Sequence, residues 1–305
     1  CVGAGLAKYV ADVFQALGIS AGSSQNSFGN VKFLSPAFNI GEADFPALVE
    51  KFNTELGNQG YSLNNFAAIA GNAYNTPWGT ISDFINTARS TPIGGRPIIL
   101  TETGWYPHKT ANRPEAISQL KNEFSSFPQK NIIGGLIFNV FGGNPSFIDQ
   151  AMSDEEISEA CGGSCFSWGI GANSAAYYSS PEEFYNRAGK NQMKYALEIA
   201  RDDINIVMPG INNAKKNGLI PIVRIGDKVG GGGLFENPKI LAAFIKELDS
   251  RTSGEIYIII GPNEPLSETW ATPQCVAEDF IIIQNASFVC SDKDVTHKES
   301  WTEIV

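Results

Sequence analysis

Short, unbroken apolar runs alternate along the chain with longer stretches in which apolar residues recur every three or four positions. The first pattern is that of a strand buried on both faces, and the second that of an amphipathic helix. Eight runs are expected to be strands: 31–37, 66–70, 97–101, 132–139, 166–171, 204–208, 220–225 and 256–261. Helices are expected over 43–56, where Phe45, Leu48, Val49 and Phe52 have helical spacing, and over 81–88, 114–124 and 238–248. Ser180, Pro181 and Glu183 combine a cap, a first-turn proline and a capping-box glutamate, and the amphipathic pattern behind them predicts one long helix to Ala200. A further helix, 5–17, precedes the first strand, whereas the last strand is followed by a long irregular segment with only a hint of helix at 299–305. Alternating β and α elements predict a parallel sheet, and eight strands close a (β/α)8 TIM barrel. The expected fold class is therefore α/β, one barrel domain over 1–305. The helix 5–17 completes the eighth unit if it packs in the place after the last strand.

Composition narrows the partners. With 305 residues and 43% hydrophobic content the chain can bury a large core, and barrels of this size are commonly single domains. Its 22 basic and 32 acidic residues give a net charge of −10, which disfavours nucleic acid and anionic membranes and points to a neutral partner. No apolar run approaches the roughly 20 residues that span a bilayer, so no membrane span is expected. Five cysteines are present: Cys161 and Cys165 enclose a short loop, Cys275 and Cys290 bracket a longer segment, and Cys1 is left over. Two local disulfides suit an oxidising compartment, so a secreted, extracellular or cell-surface protein is expected. Cys1 is lipidated, paired with another chain or free, and the sequence does not choose. Only two histidines, His108 and His297, are available and neither has ligand spacing, so no metal and no cofactor is expected. The glycine run 230–233 lacks the spacing and lysine of a phosphate-binding loop and reads as a lid or linker, and 142–144 is only a weak hint of a phosphate site. Asn285 opens a glycosylation sequon.

Two strands end on a glutamate. The run 256–261 passes into Pro262, Asn263, Glu264 and Pro265, and the run 97–101 into Glu102, Thr103, Gly104 and Trp105. Paired carboxylates at strand ends are the material of acid/base work, and barrel active sites lie at that face. A lone strand-end glutamate is ordinarily a solvated loop charge. Two in one barrel, with Asn before one and Gly-Trp after the other, favour catalysis.

These motifs resemble those of the clan A glycoside hydrolases, retaining (β/α)8 enzymes with an Asn-Glu acid/base on the fourth strand and a glutamate nucleophile on the seventh. Asn263-Glu264-Pro265 matches the first motif, and Thr101 to Trp105 is similar to the nucleophile motif of plant-type endo-β-1,3-glucanases. The resemblance implies Glu264 as acid/base and Glu102 as nucleophile. Tyr74 matches the tyrosine that the clan's sixth strand often turns to the nucleophile, with Asn72 where a histidine is common. The order departs from the family, because the nucleophile here comes first. Relative to the clan the strands run five to eight and then one to four, as in a circularly permuted barrel or a chain recorded out of gene order. The clan's tryptophan floor on the eighth strand is replaced by Phe138, Asn139, Val140 and Phe141.

The expected reaction is retaining cleavage of β-glycosidic bonds in a polysaccharide or oligosaccharide, for which the carboxylates stand about 5–5.5 Å apart. Tyr74 and Arg224 are expected to donate to Glu102 and keep it ionised while Glu264 holds a proton, although Arg224 also suits a structural salt bridge. Asn263 serves a sugar 2-hydroxyl or is a turn residue. Trp105 stacks on a sugar or fills the core, and Trp78 and Trp168 are weaker candidates for stacking. His108 is expected on the rim or surface. The alternative is a catalytically silent carbohydrate-binding or assembly barrel that kept the glutamates.

Overall fold

The computed structural model describes residues 2–76, 78–105, 113–137, 152–163, 168–173, 181–200, 203–225 and 237–265. Among these residues one sheet holds ten strands: β1 (Ser27–Phe28), β2 (Val31–Leu34), β3 (Phe38–Asn39), β4 (Ile69–Asn75), β5 (Ile98–Trp105), β6 (Ile132–Ile137), β7 (Trp168–Asn173), β8 (Tyr195–Ala200), β9 (Ile220–Ile225) and β10 (Ile256–Ile259). Their order is β1-β2-β10-β9-β8-β7-β6-β5-β4-β3, and every pair except β1 with β2 is parallel. Among the described residues eight α-helices accompany them: α1 (Val2–Leu17), α2 (Phe45–Asn58), α3 (Ile81–Arg89), α4 (Arg113–Ser126), α5 (Asp154–Ala160), α6 (Pro181–Lys190), α7 (Ile204–Lys216) and α8 (Pro238–Arg251). The protein is thus mixed α/β around a parallel sheet. No described helix is long and apolar enough to cross a membrane.

The first expected strand is divided. Pro36 has no N–H to give to a ladder, and around it the chain changes partners: β2 pairs with β10, and β3 with β4. A parallel bridge joins Leu34 to Ala68, and Ala67 N donates to Phe33 O at 2.7 Å. The Ser35 hydroxyl oxygen accepts from Ala70 N at 2.9 Å, doing with a side chain what the interrupted backbone does not. The segment 31–39 is therefore bonded to the β10 side and to the β4 side. The first helix packs against α2 and α8.

One expected strand is a helix, and one expected helix is too long. Residues 204–208 open α7, with Asp203 as cap and Ile204, Val207, Ile211 and Ala214 buried at helical spacing. The strand that follows β7 is instead β8, Tyr195–Ala200, inside the stretch expected to be helical. The helix that begins at Pro181 stops at Lys190, where Gln192 takes φ 54° and Met193 N donates back to Ala188 O at 3.1 Å. That is the geometry of a left-handed helix stop, normally marked by glycine. Glutamine carries no such signal. The short α5 lies outside the expected elements.

Side chains alternate between two apolar layers. Phe14, Phe33, Phe52 and Phe66 belong to the larger one, between strands and helices, where the Phe14 ring lies 5.4 Å from Phe33 and 5.7 Å from Phe66. The smaller gathers Leu34, Ala70, Ile99, Leu136, Leu197, Ile222 and Ile259 from the opposite face. Polar residues further along that face form the site.

Candidate active site

From Ala68 into β4 the positions alternate: Ala68 and Ala70 belong to the smaller apolar cluster, whose side is the interior one, and Asn72 and Tyr74 continue that side, while Ile69 and Ala73 face the helices. Strict alternation from Ile99, which is interior, would instead send Glu102 outward. A bulge prevents this. Gly71 pairs with Leu100 but Asn72 pairs with Glu102, so Thr101 is the extra residue, and the β5–β6 register shifts over the same stretch. An inserted residue reverses the facing of the residues after it. Glu102 thereby joins Asn72 and Tyr74, and Trp105 goes to the outer layer.

Glu102 accepts on both oxygens. Tyr74 Oη donates to Oε2 at 2.6 Å, and Arg224 Nη1 donates to Oε1. Arg224 comes from β9, two positions beyond interior Ile222, and the side chains of the Arg224–Glu102 pair are each only 11% exposed. Burial, then the charge of Glu102 and the hydrogen bond to it, raise the Tyr74 phenol far above its ordinary range, so it remains a donor.

Glu264 follows β10 through Gly261, Pro262 and Asn263. Its backbone takes φ 42°, a left-handed conformation that costs a non-glycine residue energy and tends to occur where a side chain must be aimed. The turn is fixed by Glu264 N donating to Ala37 O at 2.7 Å and by Ala37 N donating to Pro262 O at 3.2 Å. Asn72 Nδ2 donates to Glu264 Oε1 at 2.9 Å and to Asn263 Oδ1 at 3.1 Å. Thr101 Oγ1 donates to Asn72 Oδ1 at 2.7 Å, which sets the orientation of that amide. Two residues of one strand, Asn72 and Tyr74, hold one glutamate each.

The structure thus brings together Glu102, Glu264, Asn263, Tyr74 and Arg224. Trp105 is 5% exposed, with the Arg113 guanidinium 5.5 Å from its ring centre, which is a packing position. Trp78 is 75% exposed on the turn after β4. Trp168 begins β7, at the end of the strand away from the site. Sequence reasoning left out Asn72 and Thr101 as site residues, although Asn72 lies two positions before Tyr74, a spacing that puts both on one strand face.

Comparison of the chain with protein-family models, curated proteins and solved structures found no match. Among the described residues no group of three His, Cys, Asp or Glu side chains is arranged to hold a metal. His108, the 138–141 and 142–144 stretches, the 230–233 glycines, the Asn285 sequon, the 299–305 helix and every cysteine except Cys161 lie outside the described residues.

Proposed function

We propose that the protein is a glycoside hydrolase, cleaving β-glycosidic bonds of a neutral polysaccharide with Glu264 as acid/base and Glu102 as nucleophile. The observation that carries this reading is that Asn72 and Tyr74, on one face of β4, are hydrogen-bonded to both glutamates. Glycoside cleavage needs one carboxyl that gives and retakes a proton and one that acts on the sugar carbon. In the first step an oxygen of Glu102 bonds to the anomeric carbon while the leaving oxygen departs with the proton of Glu264. In the second, water gives a proton to Glu264, its oxygen bonds to that carbon, and the ester to Glu102 breaks. Asn263 is assigned to the sugar's 2-hydroxyl.

The same reading includes a closed (β/α)8 barrel whose strands run in the order of a circular permutation. The bonds from 31–39 to both neighbours and the packing of α1 against α2 and α8 support it. It also includes secretion, with disulfides within 161–165 and 275–290.

The test is hydrolysis of a panel of soluble β-glucans, xylans and mannans, with the anomeric configuration of the first product followed by NMR. Wild type should give the β-anomer first. Glu102→Gln should reduce kcat by at least about 10³-fold while still binding oligosaccharide, given the size of nucleophile losses. Oligosaccharide binding with no hydrolysis by wild type would favour the silent barrel, and neither binding nor hydrolysis would sink both readings.

A further inference from the structure

Thr101 and Asn72 are fully buried polar residues, each two positions beyond an apolar interior one, Ile99 and Ala70. Burying a hydroxyl and an amide costs energy that apolar side chains there would not, unless their polar atoms are paired. Here they pair with each other and with the glutamate turn. Thr101 Oγ1 lies 2.7 Å from Asn72 Oδ1 and 3.4 Å from Gly71 O. Both are acceptors, so the hydroxyl meets them as a donor. With Oδ1 held in this way, Asn72 Nδ2 faces Glu264 Oε1 at 2.9 Å and Asn263 Oδ1 at 3.1 Å. A reversed amide would set its oxygen against those two acceptors, and the Thr101 hydroxyl opposes the reversal. The residue that supplies this hydroxyl is the extra residue of the β5 bulge. One insertion therefore both turns Glu102 inward and brings Thr101 onto Asn72.

We propose that Thr101 and Asn72 are positioning residues for the acid/base: the Thr101 hydroxyl fixes the Asn72 amide, and that amide aims the carboxyl of Glu264 and orients Asn263. This rests on the glycosidase reading for its purpose, though not for its geometry. A donor to a carboxyl favours the charged form. Glu264 becomes that form as it gives its proton to the leaving oxygen, so the bond from Asn72 strengthens during the first step, where it lowers the barrier. Glu102 is held separately by Tyr74 and Arg224. Loss of the Thr101 donor should accordingly fall on proton donation and spare nucleophilic attack.

The experiment compares Thr101→Val, which keeps the shape and removes the donor, with Thr101→Ser, which keeps the donor. kcat/KM, which reports the first step, is measured for an oligosaccharide and for the dinitrophenyl glycoside of the same sugar, whose leaving group departs without a proton. Thr101→Val should fall at least about tenfold further on the oligosaccharide than on the dinitrophenyl glycoside, a part of what general acid catalysis contributes. Thr101→Ser should keep the wild-type ratio of the two substrates within about threefold, since its hydroxyl still donates. Equal losses on both substrates in Thr101→Val would mark a merely structural residue and overturn the proposal.

The second readout needs no activity. It is a carbon-13 titration of the Glu264 carboxyl, its signal identified by its disappearance in Glu264→Gln. Without the donor the protonated form is favoured, so Thr101→Val should raise the midpoint by about half a unit or more, and Thr101→Ser should leave it in place. An unmoved midpoint in Thr101→Val overturns the proposal. If Thr101→Val fails to fold, Asn72→Ala, which removes the amide itself, decides by the same criteria in both assays. A raised midpoint in a protein that hydrolyses no glycan would support the positioning of Glu264 and reject the glycosidase reading.

Discussion

Glu198 shows what a single buried group does to this protein. It faces outward from β8 with Ala196 and Ala200, accepts a hydrogen bond from Tyr185 of α6, and lies against Gly210 of α7, where an added Cβ would collide with its carboxylate. At 4% exposure its burial outweighs the tyrosine and pushes it up to about 8. Unfolded, the same carboxyl loses its proton near its ordinary value of 4.5. Between those values the folded state binds the extra proton, so stability falls as pH rises through the window and levels off above it. Urea denaturation should find wild type less stable near pH 8 than near pH 5, by roughly 3–5 kcal/mol at most from this residue. Glu198→Gln should flatten that slope and be the more stable protein near pH 8. A variant with the wild-type slope would show that the carboxylate is already ionised in the folded state.

At the scale of elements, one inserted residue decides what β5 displays. Ile99 is interior and Leu100 faces the helices; after Thr101 the sequence of faces reverses, so Glu102 turns inward and Trp105 outward. The apolar run and its glutamate are legible in the sequence, but the bulge is not, because nothing in Leu100, Thr101 and Glu102 marks which residue will lack a partner. The stop of α6 at Gln192 is hidden for a similar reason. β6 shows how closely the interior strands are fitted. A Cβ at Gly134 would meet the ring of Tyr195 on β8, a strand not next to it in the sheet. Overpacking of this kind costs about 1–3 kcal/mol. Gly134→Ala should therefore lower stability by that amount in denaturant titrations, and an unchanged midpoint would mean that Tyr195 rotates away freely.

For the molecule as a whole, the junction beside β2 and β4 is the telling one, since these strands lie far apart in the sheet order yet a bridge joins Leu34 of β2 to Ala68, just before β4. Ser35 is buried there, its hydroxyl accepting from Ala70 N and donating to Pro36 O. Ser35→Ala would leave a buried N–H without this acceptor, at about 1–3 kcal/mol. The expected outcome is a loss of that size in denaturant stability, with Ala70 amide exchange accelerated more than that of Ile99 in mid-strand. Uniform acceleration across the sheet would show that the junction carries no special share of the fold.

Local pattern determined most of the elements. Most apolar runs with β-branched residues become strands, 204–208 at the start of α7 being the exception, and Phe45, Val49 and Phe52 lie on one side only of a helix. The sequence alone also disclosed two glutamates at strand ends, and Tyr74 and Arg224 as partners for one of them. It was silent about Asn72 as the link to Glu264 and about the bulge at Thr101. Each of these depends on which strands become neighbours and in what register, and a chain carries no local mark of a contact such as Asn72 to Glu264, 192 positions away. Only the folded sheet sets that register, because a shift by one residue exchanges the interior and exterior faces of a whole strand.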